Sequence, residues 1–344
     1  MNERIPITSG EIIFGKDFLN YKAVLDDFKR AKCIRVMTYN ISKNNDKNGL
    51  INALKNVSED VDIKIITNIP SRMDCYHNSD AGKIMRKNSK NNVDIYLKKL
   101  NPENFSSNTE VRFNFSNHAK IIGTENVLYI GSANYSDESK NNFEIGIIIT
   151  NTEIIQKVYE EIFLVVIKES IPYFEDDFNN LRLFVSKMEK EFKCWLDGYE
   201  CRLTNYNSGN NLYPEYNFTI LREILKELHN IDSLLTNTYT ELDDDDDDDD
   251  DDDYNTLIDE IQTELYLINI EWMLRFTSMC SEKNKANNWV ICEEWIMYEE
   301  RNCYYRINLC DEIKTIIKFL EDIHEGILKY SYKWINKKID NTGL

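Results

Sequence analysis

The chain has 344 residues, a formal net charge of −19, 42% hydrophobic and 12% aromatic residues. That apolar content excludes a wholly disordered polymer, and the length admits either one large domain or two. Asp243 to Asp253 is an unbroken run of eleven aspartates, and without those eleven the charge of −19 becomes −8.

Charge is segregated along the chain. Residues 1–150 hold 21 Lys+Arg against 18 Asp+Glu, a net +3, whereas residues 151–344 hold 20 against 42, a net −22. The first part suits a surface that meets phosphate, and the second does not. Met1 to Pro6 carries no basic stretch leading into an apolar core, and no segment reaches the roughly 18 apolar residues of a membrane span. A cytoplasmic location without membrane contact is expected. The eight cysteines show no C-x-x-C pair, so a zinc site lacks its usual spacing and reduced thiols are expected.

The first 150 residues alternate strand and helix signals, the pattern of an α/β layer structure. Cys33 to Ile41 reads as a buried strand, Leu50 to Val57 as a short helix, and Val61 to Thr67 as a second strand ended by Asn68-Ile69-Pro70. Ala81 to Leu100 reads as a helix. Val111 to Ile122 and Val127 to Gly131 read as two strands joined by a turn at Gly123 to Asn126, and Phe143 to Ile149 as a further buried strand. From Thr152 the period becomes helical: Leu181, Phe184, Met188, Phe192 and Trp195 fall three or four apart, as do Leu221, Ile224, Leu228 and Ile231. Leu257, Ile261, Leu265, Ile268, Trp272 and Phe276 make a third stripe, and Leu309, Ile313, Ile316, Leu320, Ile323 and Ile327 a fourth. The sequence therefore predicts an α/β domain over residues 1–151 and an all-α domain over residues 152–344. The aspartate run at 243–253 is expected as a solvated, disordered loop.

Three pieces within 30 residues of one another carry chemistry: Asn117-His118-Ala119-Lys120, Gly131-Ser132-Ala133-Asn134 and Asn142-Phe143-Glu144. On a strand, side chains two apart face the same way, so His118 and Lys120 project together, as do Ser132 and Asn134 if that strand continues. An imidazole beside an ammonium, facing a hydroxyl and an amide, can cradle a phosphate, with the imidazole as nucleophile or acid. Glu144 on the next strand can hold the imidazole in one tautomer.

These residues resemble the H-x-K-x4-D-x6-G-S signature of the phospholipase D superfamily with its G-S-x-N and N-x-E elements. Two departures stand out: Glu125 occupies the aspartate position, and only Asn126 to Ile130 separate it from Gly131. The resemblance covers roughly residues 10 to 150 and implies a phospholipase D-like fold, a mixed sheet flanked by helices. It further implies catalysis by His118, Lys120, Ser132, Asn134 and Glu144 through a phosphohistidine, without cofactor or metal. The family reaction uses two histidines, and only His118 of His77, His118, His229 and His324 sits in an H-x-K, so a homodimer with the site on its two-fold axis is implied.

Arg72 and His77 stand in the loop after the second strand and are candidate substrate-binding residues, with a plain surface histidine the simpler reading of His77. Arg72, Lys83, Arg86, Lys87 and Lys90 suit either a nucleic-acid backbone or a solvated helix face. His229 and His324 read as structural. Trp289 and Trp295 read as core or interface in preference to base-stacking groups. Single-motif members without a signal segment resemble small bacterial endonucleases and metal-independent restriction enzymes. The expected activity is thus a DNA endonuclease in restriction or antiviral defence, with the helical domain available for dimerisation, target recognition or docking a motor ATPase. The alternatives are a phospholipase or phosphatidyl-transfer enzyme, for which no amphipathic membrane-binding stretch stands out, and a non-catalytic interaction protein carrying a relic motif.

Overall fold

The computed structural model describes residues 10–42, 49–69, 89–174, 178–207, 218–229, 251–268, 289–292, 295–300 and 303–342, with single positions between 231 and 277. The chain divides into two units at Glu175 and Asp176.

The first unit is built on one eight-stranded mixed sheet. Its strands are β1 (Glu11–Gly15), β2 (Cys33–Thr38), β3 (Asp62–Thr67), β4 (Thr109–Phe113), β5 (Ile121–Thr124), β6 (Leu128–Gly131), β7 (Glu144–Ile149) and β8 (Ile171–Pro172). The spatial order is β1-β7-β6-β5-β2-β3-β4-β8. β3 runs parallel to both β2 and β4, and the remaining neighbours are antiparallel. Parallel pairs need crossovers, and helices α2 (Leu50–Lys55) and α3 (Ser89–Leu100) lie in them, while α1 (Lys22–Asp27) precedes β2.

β2 and β3 alternate at first, with Ile34, Val36, Ile63 and Ile65 buried between the more exposed Arg35 and Lys64. Each then ends in consecutive buried residues, Met37-Thr38 and Ile66-Thr67. Strand ends covered on both faces belong in the middle of a layered structure. Met37, Ile66, Ile121, Leu128 and Ile149 share a core with Ile155, Val158, Phe163 and Ile167. The last four come from α4 (Thr152–Val158), the π-helical turn Tyr159–Phe163 and α5 (Leu164–Lys168). Truncating any one of these to alanine would cost about 2–5 kcal/mol.

The boundary expected at residues 151 and 152 is corrected by this packing. Segment 152–168 buries its apolar stripe against the sheet, and β8 then pairs with β4, Ile171 opposite Phe113 and Pro172 opposite Arg112. The single long strand expected from Val111 to Ile122 is also corrected. β4 ends at Phe113 and β5 begins at Ile121 because two asparagines bend the chain between them. The Asn114 side chain accepts from Ser116 N at 2.9 Å and that of Asn117 from Ala119 N at 3.0 Å. Such local bonds offer the backbone an alternative to the strand ladder.

In the second unit, α6 (Asn179–Asn207), α7 (Phe218–Leu228), α8 (Asp251–Leu267) and α9 (Leu309–Thr342) share one core. It is built from the sequence stripes, with Leu181, Met188, Phe192, Leu221, Ile224, Ile261, Ile313 and Leu320 all buried. The all-α expectation needs one amendment. β9 (Trp289–Cys292), β10 (Trp295–Glu300) and β11 (Cys303–Asn308) form a three-stranded antiparallel sheet, as the density of β-branched and aromatic residues there favours. The loop expected at 243–253 is amended too: Asp251–Asp253 open α8, and residues 243–250 lie outside the described residues. Among the described residues no helix is long and apolar enough to cross a membrane.

Candidate functional site

The segment Asn117 to Lys120 enters β5 beside the end of β2. Asn117 is buried and its side chain works in both directions. Its amide donates to Thr38 O at 2.8 Å while its oxygen accepts from Ala119 N, and Asn68 Nδ2 donates to Asn117 O at 3.1 Å. The backbone flanking His118 is thereby tied to the C-terminal ends of β2 and β3. His118 itself is exposed, whereas Lys120 retains only 8% of its accessible surface.

The Lys120 ammonium lies 3.2 Å from His118 Nδ1 and 3.5 Å from Nε2, and it donates to His118 O at 2.6 Å. Burial pushes the Lys120 amine below the ordinary lysine range, and the negative charge of Glu144 opposes this only in part. The ring of Tyr39 completes the arrangement, with its centroid 4.9 Å from that of His118 and 5.4 Å from Lys120 Nζ.

β6 ends at Gly131, so Ser132 and Asn134 follow it in a loop and do not share a strand face. Ser132 N donates to Ile145 O at 2.8 Å and Ser132 Oγ accepts from Ile145 N at 3.0 Å, which binds the loop to β7. The Ser132 hydroxyl donates to the Glu144 carboxylate. Glu144 is buried, and its backbone carbonyl accepts from Asn20 Nδ2 at 2.8 Å. Asn134 stands a step behind, its side-chain oxygen 3.5 Å from the Thr38 hydroxyl and its carbonyl accepting from Tyr21 OH at 3.0 Å.

Gly131 and Gly146 face each other across β6 and β7. A Cβ on either would collide with the Tyr129 ring, whose hydroxyl accepts from Ala133 N at 3.1 Å. The glycine before Ser132 is therefore a packing requirement: it lets an aromatic ring run beneath the loop and support it.

His118, Lys120 and Ser132 line an open groove of about 700 Å3 together with Ile12, Ile121, Ile130, Ile145 and Ile147. Its walls are thus apolar and its polar groups converge at one place, the usual composition of a ligand site. Among the described residues no three His, Cys, Asp or Glu side chains gather to hold a metal ion.

Glu125 lies away from this groove. Its carboxylate accepts from Lys32 N at 3.0 and 3.1 Å and from Cys33 N at 3.1 Å, capping the start of β2. Burial pushes this carboxyl up, but the amide hydrogen bonds from Cys33 and Lys32 outweigh it and leave it below the ordinary glutamate range.

Of the other sequence candidates, Arg72, His77, Lys83, Arg86 and Lys87 lie outside the described residues, as do the side chains of Lys90, Trp289 and Trp295. His229 is exposed at the end of α7, and His324 Nδ1 stands 3.7 Å from Glu189 Oε2. The residues sequence reasoning missed are Tyr39 and Asn20, and Asn117, although quoted with the motif, was given no role. Nothing in the spacing marks Tyr39 and Asn20, because they reach the site from separate parts of the chain.

Residues 24–164 match the family model for the cardiolipin synthase, PLD-like domain. Among solved structures, a phospholipase D family member, Nuc from Salmonella typhimurium, is 19% identical over 48% of this chain and 97% of that one, with a TM-score of 0.32. NucT from Helicobacter pylori is 15% identical over 48% of this chain and all of that one, with a TM-score of 0.32. Phosphatidylserine synthase from Haemophilus influenzae Rd KW20 is 13% identical over 48% of this chain and 40% of that one, with a TM-score of 0.34. No curated protein matches the chain.

Proposed function

Residues 24–164 form a phospholipase D-like domain, and on that premise we propose that the protein is a metal-independent phosphodiesterase, a DNA endonuclease serving restriction or antiviral defence. The observation that carries this reading is the pairing of the His118 imidazole with the Lys120 ammonium, 3.2 Å apart, at the rim of an open groove that Ser132 also lines. An imidazole nitrogen of His118 attacks phosphorus, forming a P–N bond as the P–O bond to the leaving group breaks. Lys120 and Ser132 stabilise the phosphoryl oxygens. The leaving oxygen takes a proton from a second, protonated imidazole. That second imidazole then accepts a proton from water, whose oxygen attacks phosphorus and returns the P–N electron pair to His118.

One protomer supplies one H-x-K histidine, so the second imidazole is His118 of a second copy. The surface beside the groove supports this. Ile12 (76% exposed), Phe14 (63%), Phe143 (71%) and Ile145 (54%) crowd the β1–β7 side of the sheet, with Phe14 and Phe143 stacked at 5.8 Å. Contiguous apolar surface of this kind marks an interaction face, and a partner covering it brings the two histidines together. The helical unit is then free to recognise the target or dock a further component such as a motor ATPase.

A second reading, phosphatidyl transfer or phospholipase activity, is favoured by the apolar lining of the same groove, which suits an acyl chain. The test is to incubate the protein and its His118→Ala variant with single-stranded DNA, duplex DNA, RNA and phospholipid vesicles in the presence of a chelator. Chelator-resistant DNA cleavage lost in His118→Ala supports the endonuclease. Vesicle hydrolysis without DNA cleavage selects the lipid reading, and activity lost on chelation removes the metal-independent mechanism. No activity on any substrate points to a relic motif.

A further inference from the structure

We infer that Tyr39 is a positioning residue of the phosphodiesterase centre, its ring forming the wall that sets the His118 imidazole and the Lys120 ammonium in register for attack on phosphorus. The inference rests on the phosphodiesterase reading of the site. Three independent contacts lead to it. The Tyr39 and His118 rings meet at 4.9 Å with planes tilted by 55°. Lys120 Nζ lies 5.4 Å from the centroid of the same ring, within the reach of a cation–π attraction. The chain on either side of Tyr39 is fixed: Thr38 O accepts from Asn117 Nδ2 at 2.8 Å, and Thr38 Oγ1 donates to Asn40 O at 2.8 Å while accepting from Tyr135 N at 2.9 Å.

The Asn117 bond matters most, because it joins the residue before Tyr39 to the residue before His118. The two rings therefore spring from backbones that are themselves clamped together, and those backbones cannot separate without breaking a buried bond. His118 is exposed, and an exposed ring with no wall samples several rotamers. A nucleophile must meet phosphorus in line, and misplacement of about 1 Å is enough to lose about two orders of magnitude in rate. Tyr39 restricts that freedom on the side of the imidazole it touches, and its negative ring face attracts the ammonium that stands beside the imidazole.

What Tyr39 contributes is its ring, so the variants divide cleanly. Tyr39→Phe keeps the wall and is expected to retain kcat on a phosphodiester such as bis(p-nitrophenyl) phosphate within about threefold, whereas Tyr39→Leu and Tyr39→Met lower kcat by about 30- to 100-fold with KM changed less than about threefold. Imidazole C–H resonances of His118 are recorded on the same proteins. They are single and sharp in the wild type and in Tyr39→Phe, and broadened or split in the aliphatic variants. Aliphatic variants with wild-type kcat and sharp His118 signals overturn the role of Tyr39, as does a Tyr39→Phe protein as impaired as Tyr39→Leu. The resonances judge the placement of the ring even if the wild type cleaves no phosphodiester, an outcome that defeats the phosphodiesterase reading and not the wall itself.

Discussion

Ser132 and Glu144 are joined at the start of β7: the serine hydroxyl donates to the glutamate carboxylate, while the same oxygen accepts from the amide of Ile145, the next residue along the strand. A buried carboxylate is thus paired with an exposed hydroxyl at the groove, and the hydroxyl, which has a single proton, donates to a ligand oxygen only by turning that proton away from Glu144. Replacing Ser132 by alanine removes a phosphate donor and leaves the Glu144 carboxylate short of a bond, so we expect a drop in kcat of about 10- to 100-fold. It also costs about 1–3 kcal/mol of stability. Steady-state kinetics and urea unfolding of Ser132→Ala check both. Wild-type kcat in that variant would remove Ser132 from the reaction.

Asn117 couples β2, β3 and the His118 segment through three hydrogen bonds made by its side chain and carbonyl. Asn117→Ala leaves Thr38 O and Ala119 N without those partners, for a loss of about 2–3 kcal/mol. Catalysis suffers with it, since the imidazole loses its anchored backbone. Unfolding midpoints and initial rates on one phosphodiester measure the two effects, and an unchanged midpoint would contradict the clamp.

For Glu125 the expectation is about pH and not about rate. Its carboxyl sits below the ordinary glutamate value of 4.5, because amide hydrogen bonds from Cys33 and Lys32 outweigh the effect of burial. A carboxyl depressed on folding contributes stability that is complete above its unfolded value and is lost as pH falls through the folded one. Glu125→Gln should therefore melt lower than wild type at pH 7 by roughly 2–4 °C, and the gap should close as the pH is taken below 4.5. Thermal melts across that range decide it, while kcat at pH 7 stays within about threefold. A gap that is constant with pH would show that charge plays no part.

The apolar β1–β7 surface gives the test of assembly. A glutamate in place of Phe14, which is 63% exposed and does not line the groove, puts charge in the proposed protomer contact and costs the monomer little. Sedimentation should shift from dimer to monomer, and activity should fall at least about 100-fold as the second imidazole is lost. A monomeric wild type, or a monomeric variant with full activity, would end the shared-site mechanism.

Much of the local structure is legible in the sequence. The apolar stripes marked four helices of the second unit, because a helix repeats its buried face every 3.6 residues whatever it packs against. Strands β2 and β3 announced themselves by buried runs, and the residues His118, Lys120, Ser132, Asn134 and Glu144 were marked by a spaced motif. Where the sequence misled, competition between signals explains it. Val111 to Ile122 has strand composition throughout, but Asn114 and Asn117 spend their side chains on the backbone two residues ahead and break it. Segment 152–168 has a helical period, and periodicity alone cannot say which unit a helix serves. Aromatic-rich 289–308 carried strand signal that the surrounding helical stripes overshadowed.

The sequence by itself determined which residues are candidates for the chemistry and most of the elements that surround them, since both follow from residue type and short-range spacing. Only the tertiary structure decided how those residues are held: that Glu125 caps β2, that Ser132 answers to Glu144, and that Tyr39 stands 79 residues from His118 in the chain and 4.9 Å from it in space. Contacts of that kind depend on sheet order and register, and these emerge from the simultaneous packing of distant segments and from no property of any one of them.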